Sequence, residues 1–61
     1  MNLYGFEGKR IRVVFVDGQT LTGIAHEYTQ ALDNPEEKES LCIGDVIFFE
    51  DEVREIREIE A

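Results

Sequence analysis

The stretch KRIRVVFVDGQTLTGIAHEYT, residues 9–29, decides the fold of this chain. Lys9–Val16 alternates as a strand does. Ile11, Val13 and Phe15 share one face, and Arg10, Arg12, Val14 and Val16 share the other. Asp17-Gly18 then supplies a hairpin turn, because glycine tolerates the positive φ of a tight reversal. Gln19–Thr29 reads as a second, longer strand. Gly23 lies inside it, where glycine marks a bulge, a sharp bend or the close approach of a neighbour. These residues predict an antiparallel hairpin whose second arm curves.

Beyond the hairpin, Thr29–Lys38 contains Asp33-Asn34-Pro35 and reads as a loop, with Ala31-Leu32 tucking back onto the core. Glu39–Ile43 is a third short strand, with Leu41 and Ile43 on one face, and Gly44-Asp45 turns the chain again. Val46–Phe49 is a fourth strand, apolar on both faces. Such a strand is covered on both sides. One of Phe48 and Phe49 fills the interior; the other is covered either by Tyr4 and Phe6 or by a second subunit.

Asp51–Glu60 admits two readings. Val53, Ile56 and Ile59 recur every three residues, which suits a helix supported by Arg54/Glu58 and Glu50/Arg54 pairs. The same residues suit a 3₁₀ turn at Glu50–Val53 followed by a strand, Arg54–Glu60; the count of preceding strands favours this second reading. Five short antiparallel strands joined by tight turns predict a mostly β fold. Curling into a small SH3-like or Sm-like barrel would hide the strand edges and enclose a core. Residues 1–61 form one domain on this reading.

A 61-residue chain buries only about 60% of its unfolded surface, so its core is thin. One Cys and one His rule out an internal disulfide framework and a Cys/His zinc cage. The glycines form no phosphate-cradling loop, and no cofactor is expected. Met1–Gly8 lacks the apolar core of a signal peptide, and no stretch approaches a membrane span. A free Cys42 suits a reducing compartment. The expectation is a soluble, cytoplasmic protein.

The formal net charge is −8, and it is unevenly placed. Up to Gln30, Lys9, Arg10 and Arg12 balance Glu7, Asp17 and Glu27; from Ala31 onward Lys38, Arg54 and Arg57 face eleven acidic residues. Such a field opposes nucleic acid and anionic membranes, and permits a basic partner protein.

From Lys9 to Ile59 the sequence resembles the Sm-like (LSm) superfamily, especially its very short bacterial members. The resemblance rests on Ile11, Val13 and Phe15, then Asp17-Gly18, Leu21, Gly23, Tyr28 and Asp33-Asn34, with a partial second motif in Ile43-Gly44-Asp45-Val46. It implies the barrel and a homo-oligomer, a ring formed by pairing the fourth strand of one subunit with the fifth of the next. Candidate interface residues are then Val46, Phe48, Phe49, Ile56 and Ile59. The family's uridine site is degraded here. Its stacking position falls on Ala31, its Asn position on Asp33 or Asn34, and the second-motif Arg is missing because Ile43 runs straight into Gly44. A methyl group offers no stacking platform.

Other candidates have blander readings. His26 lacks a nucleophile or second base at a telling spacing and reads as a half-exposed strand residue. Cys42 alternates with Leu41 and Ile43 and reads as a packed hydrophobe rather than a nucleophile. Glu50-Asp51-Glu52 lacks the spacing of a calcium loop and reads as mutually repelling surface charge. Arg10 and Arg12, with Asp33 and Asn34, are the candidate nucleic-acid residues; ion pairing of the arginines with the acidic half is the competing reading. The function expected from all this is a non-catalytic, self-associating interaction module. The alternatives are an RNA-binding protein with a degenerate uridine site and an accessory subunit of an enzyme complex.

Overall fold

The computed structural model describes residues 2–33, 35 and 37–59. Five strands build it: β1 (Arg10–Phe15), β2 (Thr20–Thr29), β3 (Ser40–Ile43), β4 (Val46–Phe49) and β5 (Val53–Glu58). They form one antiparallel sheet in the order β4-β3-β2-β1-β5. Three 3₁₀ turns complete the described chain, at Tyr4–Phe6, Ala31–Asp33 and Glu50–Glu52, and it contains no α-helix.

The β1–β2 hairpin closes through a three-residue loop. Gly18 donates to the Phe15 carbonyl at 2.9 Å, Phe15 donates to Gln19 at 2.8 Å, and Gly18 takes φ 93°. A loop of this length needs a left-handed residue in its last position, and glycine adopts it without a Cβ clash. The Asp17 carboxylate accepts the Gln19 N–H at 3.0 Å and locks the turn.

Gly23 answers a different need. A β-carbon there would lie 2.6 Å from Ile43 Cγ2, so β3 packs into space that only glycine leaves free. The irregularity of β2 falls further along. The β2–β3 register shifts between His26 and Thr29, where Glu27 takes φ 52°. β2 thus pairs with β1 through its first half and with β3 through its second.

The last segment is a strand, and a bulge explains its helix-like spacing. Val14 pairs with Glu55 while the next residue, Phe15, pairs with Val53, leaving one extra residue on β5. That insertion lets Val53 and Ile56, three apart, both turn inward.

The core comprises Leu3, Ile11, Val13, Ala25, Leu41, Ile43, Phe48 and Val53, flanked by Phe6, Phe15, Leu21, Tyr28 and Ile56. The sheet curls enough for Phe15 on β1 to meet Phe48 on β4 edge to face, ring centroids 5.5 Å apart. The N-terminal cover comes from an unexpected residue. Leu3 is fully buried, Phe6 is half-buried, and Tyr4 is largely exposed, resting edge-on against Tyr28. Leu32, expected to tuck in, is 92% exposed.

Candidate interaction surfaces

The outer face of β1 carries Arg10, Arg12 and Val14, as the alternation requires. Register then decides who joins them. Arg12 is opposite Thr22 on β2 and opposite Arg57 on β5. Arg57, Arg12 and Thr22 therefore form one row across three strands, all exposed. Arg10, one row on, is opposite the exposed Ile24 and accepts a backbone hydrogen bond from Ile59 at 2.8 Å.

The expected pairing of Arg10 and Arg12 with the acidic half is not what forms. Among the described residues it is Lys9 that pairs with Glu58, at 3.4 Å, and none of Arg10, Arg12, Arg54 or Arg57 makes an ion pair or side-chain hydrogen bond. Nor does the fold bring Asp33 to this row. Asp33 lies in the turn after β2, accepting from Gln30 at 2.8 Å. Thr22 is separated from Thr29 by seven residues of strand, about 23 Å of path at 3.3 Å per residue. Asn34 lies outside the described residues.

A second surface surrounds β4. Val46 is 44% and Ile47 61% exposed, while Phe48 is 1% exposed. Phe48 therefore belongs to the core. Phe49, Ile56 and Ile59 are half-buried, and Ile56 packs against the core. Ile47, which the sequence pattern did not single out, is the most exposed residue of this strand. With Phe15, Val16, Asp17, Gln19, Phe48 and Glu52 it helps line a groove of about 250 Å³ beside the hairpin turn.

The Glu50–Glu52 run is engaged rather than merely repelling. Glu52 accepts the Phe49 N–H at 2.9 Å, Asp51 pairs with Lys38 at 2.8 Å, and Glu50 accepts the Glu39 N–H at 2.6 Å. Each carboxylate neutralises a donor that the 3₁₀ turn or the preceding loop would leave open. The hydrogen bond from Lys38 holds the Asp51 carboxyl below its ordinary pKa. Glu39 ties down the N-terminal arm. It accepts the Leu3 N–H at 2.8 Å and the Tyr28 hydroxyl at 2.9 Å. Partial burial, then that bond and the charges of Glu39 and Glu50, push the Tyr28 phenol up.

His26 on β2 and Cys42 on β3 are cross-strand partners. His26 Nε2 lies 3.1 Å from the Gly44 carbonyl, and Nδ1 lies 3.8 Å from Glu27. Cys42 is buried, and burial together with the Glu27 carboxylate 4.0 Å away raises its thiol pKa. Among the described residues no three His, Cys, Asp or Glu side chains are grouped to hold a metal ion, and no helix is long and apolar enough to cross a membrane. No family model matches this chain, and neither does any curated protein or solved structure.

Proposed function

We propose that this chain is a non-catalytic interaction module with an Sm-like barrel fold, which self-associates by pairing β4 of one copy with β5 of the next. The observation that carries this reading is the strand order. β4 and β5 are its two ends, so among the described strands each has a neighbour on one side only and an open hydrogen-bonding edge on the other. An open edge is a template for another strand. On β4 that edge coincides with exposed Val46 and Ile47, so pairing would bury apolar surface as well as satisfy backbone groups. Head-to-tail contacts of two different edges build a ring when the rotation closes. The raised thiol pKa of Cys42, which keeps that side chain protonated beside His26 and Glu27, supports a non-catalytic role.

The degenerate uridine site finds less support, because Arg12 and Asp33 lie near different ends of β2. A basic protein remains the electrostatically favoured outside partner of a chain with net charge −8.

Light scattering after size-exclusion chromatography tests the proposal. A multiple of 7.0 kDa is expected at 100 µM. Higher salt should strengthen assembly by screening repulsion between acidic copies. Ile47→Glu should give a monomer whose thermal unfolding is intact. A monomeric wild type at 100 µM across salt concentrations removes the proposal.

A further inference from the structure

We propose that the outer face of β1 and β5 is a binding site for a compact phosphate-type dianion, held between Arg12 and Arg57 with the Thr22 hydroxyl beside them and Arg10 one row along. This face is distinct from the open strand edges, so the inference stands apart from self-association.

The argument begins with the ladder. Arg12 and Arg57 are direct cross-strand partners. Directly opposed side chains have β-carbons about 5 Å apart, and like charges so placed destabilise a sheet. The chain has 14 acidic residues to neutralise four arginines and two lysines, yet no carboxylate among the described residues pairs with either guanidinium. The nearest acid by register on this face is Glu55, opposite Val14, and it makes no ion pair with Arg12 or Arg57. Glu58, on the opposite face of β5, is taken by Lys9. Glu50, Asp51 and Glu52 are engaged at the 3₁₀ turn. What remains is two always-charged groups side by side, with a hydroxyl donor in the same row.

A tetrahedral dianion fits that arrangement. Guanidinium forks match phosphate oxygens in pairs, and two of them balance a charge near −2. One anion between the arginines would turn a repulsive pair into two attractive ones. The size of the anion follows from charge placement. Acids crowd the rest of the second half of the sequence, and fields fade over about 8 Å at physiological salt. A compact ion would feel mainly the arginine row, whereas a polyanion would extend onto acidic surface.

Inorganic phosphate is the probe, measured at pH 7.5 against sodium chloride of matched ionic strength. With a dissociation constant of about 1 mM, 10 mM phosphate would raise the folded-to-unfolded ratio about elevenfold. Tm would rise by about 6 °C or more. Amide and guanidinium NMR signals of Arg10, Arg12, Thr22 and Arg57 should shift in one saturable curve. Arg12→Gln and Arg57→Gln, both at exposed positions, should unfold no earlier than wild type without phosphate and lose at least threefold of the response to it. Three results would overturn the site: an equal Tm rise in chloride, phosphate-dependent shifts centred elsewhere, or an undiminished response in both variants. Arginine-dependent binding of oligo-uridine far tighter than phosphate, with steep salt dependence, would overturn the compact-ion reading in favour of RNA.

Discussion

Gly23→Ala probes the one glycine where an added β-carbon would meet a neighbouring side chain. The new methyl group would lie 2.6 Å from Ile43 Cγ2. Ile43 is 5% exposed and paired to both Ala25 and Val46, so it has little room to retreat. Its γ-methyl is attached to a β-branched carbon with few rotamers, unlike the mobile end of a long side chain. Overpacking of this kind costs about 1–3 kcal/mol. Replacing a strand glycine returns about 0.5–1 kcal/mol by restricting the unfolded chain. The net expectation is a loss of about 1 kcal/mol, drawn from a total of about 3–9 kcal/mol for a domain this size. Tm should fall by about 4–8 °C. Urea unfolding followed by far-UV circular dichroism measures it, with an unchanged m-value expected. Leucine lacks the Cγ2 branch, so in an Ile43→Leu background the same Gly23→Ala change should be neutral or stabilising, a coupling of about 1 kcal/mol or more. A Gly23→Ala protein more stable than wild type would refute the reasoning. So would an equal cost in both backgrounds.

Leu3→Ala should cost about 2–5 kcal/mol, because it empties a fully enclosed site. Tyr4→Ala, at a position 63% exposed, should cost far less by the same urea titration; equal costs would deny Leu3 its place in the core. For Asp51 the folded pKa lies below the unfolded one. Its contribution is therefore complete above the ordinary value of 3.8 and is lost as pH falls through the folded value. Urea midpoints measured from pH 5 to pH 2 should accordingly fall less steeply for Asp51→Asn than for wild type. The Cys42 thiol should react with a disulfide reagent at pH 8 roughly 100-fold more slowly in the native protein than in denaturant; comparable rates would contradict its burial.

Strand positions were legible because alternation and turn chemistry act locally. Ile11 and Val13 face inward as their spacing requires, and the fourth strand is Val46–Phe49 as read. The fifth strand was harder to read. Val53 and Ile56 are three apart because a bulge adds a residue to β5, and a bulge is defined by the partner strand, which the local pattern does not contain. The same limit hid Leu3, which packs among core residues far along the chain and donates its N–H to Glu39, 36 residues away.

For the candidate surfaces, Arg10 and Arg12 were placed on one outer face by period two alone. Their neighbour Arg57 is 45 residues from Arg12 and enters only through the β1–β5 register. In the acidic Glu50–Glu52 run, composition alone suggested repulsion, and only the packed fold revealed a partner for each carboxylate. Sequence by itself determined the mostly β character, the turns, the inward faces and the acidic imbalance, since each follows from neighbours along the chain. Tertiary structure alone decided the strand order, the two open ends, the bulge and the opposed arginines. Pairing between distant strands sets all of these, and backbone ladders form between distant segments without any one local pattern specifying their register.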